Sequence, residues 1–346
     1  MRVALTGGTG YVGGFTAKAL VDAGHSPRAL VRSAEKFNAK LAALAVDPSR
    51  VDVVVGDMTD SDAAAQLVDG CDAAIHAAAA VAVLNRAEAE RAYDINVTGS
   101  RNVLDAALAV GCDPVVHVSS IAVFGHDGPP VITAEHPLAT SDNPYSRSKA
   151  DTDEYARNLQ ADGKPVVIVY PGGVTGPAAG DSFGEVADGF VSMLKTGCLV
   201  TNAGGIDVID VRDLADALIA TLQPGRGPRR YTVGGQLVRL PELGALIRRL
   251  TGRRFPVLPV PGAVFRGLGR TTDMLRRVVP FETVFTEEAM QALTLVRATD
   301  DSAVAQDLGV RYRDPAETVA ASLRALYDGG QLTARQVGRM APTRTA

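Results

Sequence analysis

The chain opens on an apolar stretch, and the residues that follow it carry glycine at every third position. The run reads Thr6-Gly7-Gly8-Thr9-Gly10-Tyr11-Val12-Gly13 and leads into a segment of helical periodicity. In a strand-turn-helix unit, glycines permit a tight turn, close approach of a diphosphate to the backbone, and close packing of helix on strand. The helix N-terminus adds oriented amide groups for an anion. The pattern therefore predicts a dinucleotide site formed by Gly7, Thr9, Gly10, Tyr11, Val12 and Gly13.

Short β-branched runs alternate with alanine-rich helical stretches through the first half of the chain. This alternation predicts an α/β fold: a Rossmann-type doubly wound parallel sheet with a smaller C-terminal substrate lobe. The predicted strands are residues 3–5, 28–31, 51–55, 73–77, 115–119 and 166–170, and the strand at 206–211 is expected to return to the same sheet. The predicted helices include residues 13–23, 93–109 and 146–160.

The chain of 346 residues suits one large α/β unit with a smaller lobe. We expect residues 1–174 to form the NAD(P)-binding domain, with the chain returning to it at about 205–235. Residues 175–204 and 236–328 are expected to form the substrate lobe, because proline and glycine become frequent there. Residues 329–346 are polar and aperiodic and predict a loose tail.

Composition excludes several classes of partner. The formal net charge of -4 is spread along the chain and offers no basic stripe, which argues against nucleic acid as a partner. The three cysteines are widely separated and have no metal-site spacing, so no metal is expected. The longest apolar stretch, residues 71–84, is shorter than the ~20 residues of a membrane-spanning helix. With no room for a signal segment before the first strand, a cytoplasmic location is expected.

The end of the second predicted strand bears on the choice of cofactor. An acidic residue normally stands about 20 residues after the glycines when the cofactor is NAD. Here that position holds Arg32, and Lys36 follows within reach. A guanidinium suits a ribose 2′-phosphate, so NADP is favoured, with NAD as the alternative if both cations are only solvated surface charges. Asp57 and Met58 follow the third strand as candidate adenine contacts, although Asp57 is nearly as well explained as a helix N-cap.

A tyrosine and a lysine four residues apart, Tyr145 and Lys149, stand on one face of a predicted helix. Ser120 lies 25 residues earlier (145 − 120), directly after the strand predicted at 115–119. Ligands bind at the carboxyl edge of open α/β sheets, where that strand ends. The three residues are therefore candidates for a catalytic set. The ammonium of Lys149 would favour the phenolate of Tyr145, which is otherwise a poor acid-base group at neutral pH.

These pieces together resemble the extended short-chain dehydrogenase/reductases, the NAD-dependent epimerase/dehydratase family. The resemblance rests on the glycine run, Gly56-Asp57-Met58, His76-Ala77-Ala78-Ala79, Asn96-Val97-Thr98-Gly99, Ser119-Ser120-Ile121-Ala122-Val123-Phe124-Gly125, Tyr145-Ser146-Arg147-Ser148-Lys149 and Gly173-Val174-Thr175-Gly176-Pro177, in the family's order. It implies that Ala77, Ala78 and Ala79 line the nicotinamide-ribose channel and that Pro171, Gly172 and Val174 lie beside the nicotinamide. Tyr145 would protonate the developing alkoxide, Ser120 would hydrogen-bond the same oxygen, and Lys149 would also hold the ribose hydroxyls.

One departure from the family bears on the substrate. Sugar-nucleotide members commonly carry an asparagine where this chain has Gly173, in a loop that here resembles the dihydroflavonol reductase and hydroxysteroid dehydrogenase branches. The resemblance therefore implies NADPH-linked reduction of a carbonyl, or oxidation of the matching alcohol, on a small lipophilic substrate. One alternative is a nucleotide-sugar epimerase or dehydratase that retains NAD. The other is a non-catalytic protein that senses NADP.

The resemblance also implies a homodimer, because in this family two helices commonly pair across a two-fold axis. The equivalent helices are those predicted at 93–109 and 146–160. The expected contact surface is Ala106, Ala107 and Ala109 on the first helix, with Ala150, Tyr155 and Ala156 on the second. If the alanines instead face the sheet, the outer surface would be polar and the chain monomeric.

Overall fold

The computed structural model describes residues 1–80, 86–141, 144–184, 186–276 and 286–342. Up to the end of the sixth long strand, the elements in chain order are β1 (Arg2–Thr6), α1 (Tyr11–Asp22), β2 (Ser26–Val31), α2 (Ala34–Ala43), β3 (Asp52–Val55), α3 (Ser61–Val68), β4 (Ala73–His76), α4 (Arg86–Ala109), β5 (Val115–Val118), β6 (Val131–Ile132), α5 (Pro144–Ala161) and β7 (Val166–Pro171). Short 3-10 turns, including Ile121–Phe124 after β5, join some of them.

The remaining elements alternate less regularly. They are β8 (Val174–Thr175), α6 (Ala187–Thr196), β9 (Gly205–Asp210), α7 (Val211–Ala220), β10 (Arg229–Val233), β11 (Gln236–Arg239), α8 (Leu240–Thr251), α9 (Gly262–Arg276), α10 (Glu287–Thr294), β12 (Ala298–Thr299), α11 (Ser302–Asp307), α12 (Pro315–Asp328) and α13 (Ala334–Val337). No helix within the described residues combines the length and the apolar character that a membrane crossing requires.

Seven parallel strands form the central sheet, in the order β10-β7-β5-β4-β1-β2-β3. Strands β4, β5 and β7 are buried along their whole length, because helices cover both faces of the sheet. The order of connection reverses between β1 and β4, which leaves a crevice at the carboxyl ends of these strands. The predicted Rossmann-type doubly wound sheet is confirmed.

Two apolar cores lie on opposite faces of this sheet. On one face α1, α2 and α7 pack with side chains such as Leu20, Leu41 and Leu218. On the other face α3, α4 and α5 pack with side chains that include Leu67 and Leu104. Each helix buries one apolar stripe against the strands and leaves its other side to solvent, as amphipathic helices do. This arrangement leaves the carboxyl edge of the sheet open for ligands.

The strand expected to return to the central sheet does not do so. β9 pairs in parallel with β8 and antiparallel with β11 in a separate three-stranded sheet, and β10 takes the edge position beside β7. The cause is a close backbone approach at Gly173, where a Cβ would lie 2.4 Å from the carbonyl oxygen of Asp207. The amide of Ile209 donates to the carbonyl of Gly173 at 3.2 Å. β9 is therefore held beside Gly173, at the point where the chain has just left the central sheet after β7.

The C-terminal segment also differs from the expected loose tail. A third core packs α6, α8 and α12 together, and Leu332 and Val337 are buried in it. The side chains of Thr333 and Gln336 cap the short α13 reciprocally. Two isolated apolar residues anchor this segment without forming a periodic pattern, so the sequence pattern did not reveal the packing. Residues 343–346 of the expected tail lie outside the described residues.

Helices α4 and α5 lie side by side, and three of the alanines expected on their outer surface are buried, whereas Ala106 is half-buried and Ala109 is exposed. Ala107 and Ala156 are completely buried and Ala150 is nearly so. The outward side carries polar contacts, with the Tyr93 hydroxyl donating to Asp151 at 2.5 Å. The Arg147 guanidinium stands over the ring of the same tyrosine. These three alanines face inward because they fill the space between the two helices and the sheet.

Candidate functional site

The glycine run forms a tight backbone cradle between β1 and α1. Gly7 has a φ of +82°, a conformation that favours glycine, and its carbonyl accepts the amide of Gly10 at 2.8 Å. A Cβ at Gly13 would lie 2.2 Å from the carbonyl oxygen of Gly7, so no side chain fits there. The N-cap of α1, Gly10, supplies no side-chain acceptor for the first amides of the helix. The cradle thus fits the pyrophosphate of a dinucleotide through backbone groups alone.

The cradle opens into a groove of about 180 Å³ at the crevice between β1 and β4. Nine of the predicted cofactor residues line it together: Gly7, Thr9, Gly10, Arg32, Asp57, Met58, Ala77, Ala78 and Ala79. Tyr11, Val12, Gly13 and Lys36 are not in its wall. Gly13 acts through the close packing of α1, and the Tyr11 hydroxyl donates to the carbonyl of Pro177 at 2.9 Å. Tyr11 therefore ties the first helix to the loop after β8.

The far end of the groove carries both a cation and a carboxylate. Arg32 and Asp57 line it, and Lys36 is exposed outside it. Asp57 Oδ1 accepts the amide of Thr59 at 3.0 Å and its hydroxyl at 2.8 Å. The hydrogen bond from that amide, with a smaller contribution from the Arg32 charge, lowers the pKa of Asp57. Asp57 closes a turn and does not cap α3, whose N-cap is Asp60.

A polar clamp that sequence reasoning missed holds the loop after β4. The Asn96 side chain accepts the amide of Ala80 at 2.7 Å and donates to its carbonyl at 3.0 Å. The side-chain amide of Asn96 also donates to the Ser148 hydroxyl on α5 at 3.1 Å. Thr6 accepts the amide of Ala78 at 3.3 Å. Asn96 therefore links the groove wall to the helix that carries Tyr145 and Lys149, and the only signal for it was its place in a family motif.

Two histidines beneath this loop are packed in the sheet. His76 lies between the hydroxyls of Thr6 and Ser100, at 2.7 and 2.9 Å, and stacks on His117. Burial, with the nearby charge of Lys149, lowers the pKa of His76 to about 3. The ring is therefore neutral across the physiological range and stands as part of the core.

The predicted catalytic residues come from two elements at the carboxyl edge of the sheet. Ser120 follows β5 and accepts the amide of Ala122 at 3.2 Å, which starts the 3-10 turn packed against α5. Tyr145 and Lys149 lie one turn apart in the first part of α5. Lys149 is 7% exposed and its Nζ donates to the carbonyl of Val118 at 3.1 Å. This bond holds the ammonium at the end of β5, two residues before Ser120.

The loop predicted to lie beside the nicotinamide is tightly packed. Pro171, Gly172 and Val174 are buried, and a Cβ at Gly172 would lie 2.3 Å from the carbonyl oxygen of Gly234. These three residues do not line the groove, whereas Gly173 lines a neighbouring cavity. Close backbone contact on both sides of the loop fixes its position at the junction of the two sheets.

That neighbouring cavity, called the head cavity here, lies between the central sheet and the lobe and has a volume of about 380 Å³. Its wall is apolar or glycine except for His126, Asp207 and Arg297. The guanidinium of Arg297 donates to the carbonyls of Phe124 and Gly125, both at 2.8 Å. The sequence did not predict Asp207 and Arg297 as site residues. Both lie far along the chain from Ser120 and Tyr145, and neither belongs to a motif.

A second apolar cavity of about 270 Å³, called the tail cavity, continues into the lobe. The two cavities share a wall made of Val186, Ile206, Ala289 and Leu293. The tail cavity also touches Met193, Phe265 and Met290. Within the residues that the structure describes, no group of three or more His, Cys, Asp or Glu side chains is arranged to hold a metal ion.

Comparison with known proteins agrees with this architecture. A model of the NAD dependent epimerase/dehydratase family matches residues 3–234. The chain belongs to this family. A Synechocystis sp. protein, provisionally named dihydroflavonol 4-reductase, is 31% identical over 267 residues, 74% of each chain. Sterol demethylase protein B of Methylococcus capsulatus is 26% identical over 321 residues, 90% of this chain and 93% of its own.

Among solved structures, UDP-glucose-4-epimerase from Stenotrophomonas maltophila with bound NAD and formylated UDP-arabinopyranose aligns with a TM-score of 0.73. It is 20% identical and covers 94% of this chain and 97% of its own, so this likeness concerns the fold. As an epimerase/dehydratase family member, the chain is an NAD(P)-dependent enzyme of the extended short-chain dehydrogenase/reductase kind. The predicted family is confirmed, and its members include both oxidoreductases and epimerases.

Proposed function

We propose that this family member reduces a carbonyl on a small lipophilic substrate with NADPH, or oxidises the matching alcohol. The observation that carries the proposal is the apolar head cavity next to the turn that Ser120 begins, with Lys149 held at the end of the preceding strand. The 3-10 turn that Ser120 begins supplies Ile121 and Ala122 to the wall of that cavity. A substrate with an apolar body would bury it there and present its oxygen to the end of β5.

In this proposal the three catalytic residues act on different groups. Tyr145 gives its phenolic proton to the substrate oxygen as the alkoxide develops, and Ser120 hydrogen-bonds the same oxygen. The buried ammonium of Lys149 stabilises the phenolate that remains and holds the ribose hydroxyls of the cofactor. The nicotinamide, when bound, supplies the hydride. Asn96 positions the helix that carries Tyr145 and Lys149, because it hydrogen-bonds Ser148 between them.

The preference for NADPH is proposed from the far end of the groove. Arg32 lines the groove there, and a guanidinium can bind a 2′-phosphate through two parallel hydrogen bonds. Pro171, Gly172 and Val174 remain proposed neighbours of the nicotinamide, and Lys36 a proposed outer charge. NAD stays the alternative, since Asp57 in the same groove repels a phosphate.

Two other functions compete with this one. A nucleotide-sugar epimerase would retain its NAD and give no net oxidation, and the solved UDP-glucose-4-epimerase shares the fold. The apolar wall of the head cavity argues against a charged sugar nucleotide. A non-catalytic NADP sensor would not need Ser120, Tyr145 and Lys149. Their joint presence favours an enzyme.

A substrate screen tests the proposal. The purified protein is incubated with NADPH or NADH and with ketones, aldehydes, steroids or UDP-sugars, and the loss of the 340 nm absorbance is followed. We expect turnover with a lipophilic carbonyl and NADPH. Redox-neutral conversion of a UDP-sugar would establish the epimerase instead. Cofactor binding without turnover of any substrate class would favour the sensor.

We further propose a homodimer through the outer faces of α4 and α5, and a cytoplasmic location, both as the sequence predicts. The aromatic rings of Tyr93 and Tyr155 lie on that outer face, and each pairs with an arginine and a carboxylate. Such aromatic-arginine groups are enriched in protein interfaces. Light scattering at micromolar concentration should give twice the chain mass of 36.0 kDa. A mass near 36.0 kDa would refute the dimer.

A further inference from the structure

We propose that Asp207 binds the polar end of the substrate. Its side chain hydrogen-bonds the uncharged oxygen of a hydroxyl or carbonyl group on an elongated lipophilic ketone or alcohol. This inference rests on the proposed function, because it concerns the substrate of the same site. It assigns a specificity role to a residue that belongs to none of the motifs in the sequence.

The first support is a buried carboxyl with an unused oxygen. Asp207 is 5% exposed, lines the head cavity, and its Oδ1 has no hydrogen-bond partner. Burying a polar atom without a partner costs roughly 1–3 kcal/mol. A protein usually avoids this cost, and a buried exception in a cavity wall is explained when a ligand supplies the missing partner.

The second support is the charge around this carboxyl. Burial, with the nearby charge of Asp301 and a smaller opposing effect of Arg239, raises the pKa of Asp207 to about 7. Asp301 is itself engaged by the amide of Gly235 and the Tyr312 hydroxyl, at 2.8 and 2.9 Å. Asp207 is therefore partly protonated at neutral pH and can donate to a carbonyl oxygen. A substrate carboxylate or phosphate at this end of the cavity would meet the Asp207 carboxyl, with the charge of Asp301 nearby.

Arg297 and His126, the other polar residues in the same wall, do not cancel this preference. Both Nη atoms of Arg297 are used by backbone carbonyls, and Asp127 is the carboxylate that acts on its charge. Burial and Arg297 lower the pKa of His126, so this ring is neutral near pH 7. Arg297 Nε also lacks a hydrogen-bond partner, so this wall offers Asp207 and that Nε to a neutral oxygen.

The third support is position and shape. The carbonyl of Asp207 lies against Gly173, so β9 stands directly beside the loop proposed to neighbour the nicotinamide. The preceding residue, Ile206, belongs to the wall shared with the tail cavity. The tail cavity thus adjoins the head cavity along this wall and gives a substrate further apolar space. These two adjoining cavities suit an elongated molecule with a neutral oxygen within an apolar frame.

Binding of three steroid probes to the NADP⁺-loaded protein tests the inference. The probes are androst-4-ene-3,17-dione, which has two carbonyls, 5α-androstan-17-one, which has one, and a steroid carboxylate of similar size. Calorimetry gives each dissociation constant for the unchanged chain and for the Asp207→Asn and Asp207→Leu variants. Asp188→Asn, an exposed carboxyl on α6, is the matched control. The carboxylate should bind weakest.

We expect Asp207→Leu to weaken the dione by roughly tenfold and to leave the monoketone within about twofold, since only one hydrogen bond is lost. Asp207→Asn keeps a donor and should bind the dione nearly as the unchanged chain does. As pH rises from 6 to 8.5, dione affinity should fall in the unchanged chain, because a carboxylate cannot donate, and stay constant in Asp207→Asn.

Equal effects on both ketones, preferred binding of the carboxylate, or no binding of any probe would each overturn the inference. The pH comparison keeps the test valid if Asp207→Leu fails to fold. Failure of the proposed function is separate. A chain that binds the dione through Asp207 but never oxidises or reduces it loses only the proposed activity. A chain that reduces the dione equally well in Asp207→Leu loses only this inference.

Discussion

The two ends of the proposed active site, one for the nucleotide and one for the substrate, are built in opposite ways. The cradle at the nucleotide end is made of backbone, with Gly7, Gly10 and Gly13 within seven consecutive residues. The substrate end is made of side chains that come from residues 121 to 297 and from both sheets. The first end binds a constant part of the cofactor, and the second must fit one substrate. A family can therefore be recognised from the nucleotide end, whereas the reaction and its substrate depend on the substrate end.

The largest effect we predict is at the proposed proton donor Tyr145, at the start of α5. Tyr145→Phe removes only the phenolic proton, so turnover should fall by roughly 10³–10⁴-fold while the affinity for NADPH is kept. Steady-state rates and calorimetry on the same preparation measure both. The comparison of the two ends predicts this separation, since the substitution leaves the backbone groups of the glycine cradle in place.

Near-normal turnover in Tyr145→Phe would remove this residue from the mechanism. A useful control is Tyr327→Phe, which removes a hydroxyl in the packed lobe on α12 and should leave both rate and cofactor affinity unchanged. Equal losses in both variants would indicate a general loss of folded protein.

At the substrate end, the predicted effect is on stability. The raised pKa of Asp207 means that the folded chain holds a proton that the unfolded chain has released. Its contribution to stability is therefore full at low pH and is lost as pH rises through about 7. Asp207→Asn has no such loss. Between pH 4 and pH 8, its free energy of unfolding should therefore rise by roughly 3 kcal/mol relative to that of the unchanged chain.

Urea unfolding at the two pH values measures this gain. Asp188→Asn provides the control, since this carboxyl is exposed and its loss should change stability by a similar amount at both pH values. A difference between Asp207→Asn and the unchanged chain that is independent of pH would contradict the raised pKa of the buried carboxyl.

The same contrast explains what could be predicted from the sequence. The central sheet and the cradle follow from local patterns: alternating β and α segments, and glycines at fixed spacing before a helix. Tyr145 and Lys149 are also local, being one helical turn apart. Asp207 could not be identified because its role depends on Gly173 and Asp301, which are distant in sequence and meet it only in the folded chain.

The points at which the fold differs from the sequence predictions have the same origin. A strand pattern at 206–211 predicts a strand, but it cannot say which sheet the strand joins. That was decided by the close approach at Gly173 and by pairing of β9 with β11. Likewise, Leu332 and Val337 are single apolar residues in a polar segment, and only the neighbouring lobe makes them core. Non-local packing determined the parts that the pattern could not.

At the nucleotide end, a methyl group should be enough to block binding. Gly13→Ala would add a Cβ 2.2 Å from the carbonyl oxygen of Gly7, so α1 must move away from the cradle. We expect the dissociation constant for NADPH to rise by about 100-fold, a loss of ~2.7 kcal/mol. Fluorescence titration measures it. Gly189→Ala on α6, where a Cβ meets nothing within 4 Å, is the control and should bind normally. Unchanged affinity in Gly13→Ala would mean that the cofactor does not use this cradle.

The smallest effect concerns a charged side chain at the nucleotide end. Arg32→Asp should reverse the preference between NADPH and NADH by about tenfold, because a 2′-phosphate loses its cation and a 2′-hydroxyl gains an acceptor. Arg32 is exposed and shares the groove with Asp57, whose charge opposes the phosphate, so the preference should also shrink as salt is raised. Lys36→Asp is the matched control: it removes an equal charge from outside the groove and should change the ratio by less than about twofold. Tighter binding of NADH by the unchanged chain, or equal effects of the two substitutions, would show that Arg32 does not select the cofactor.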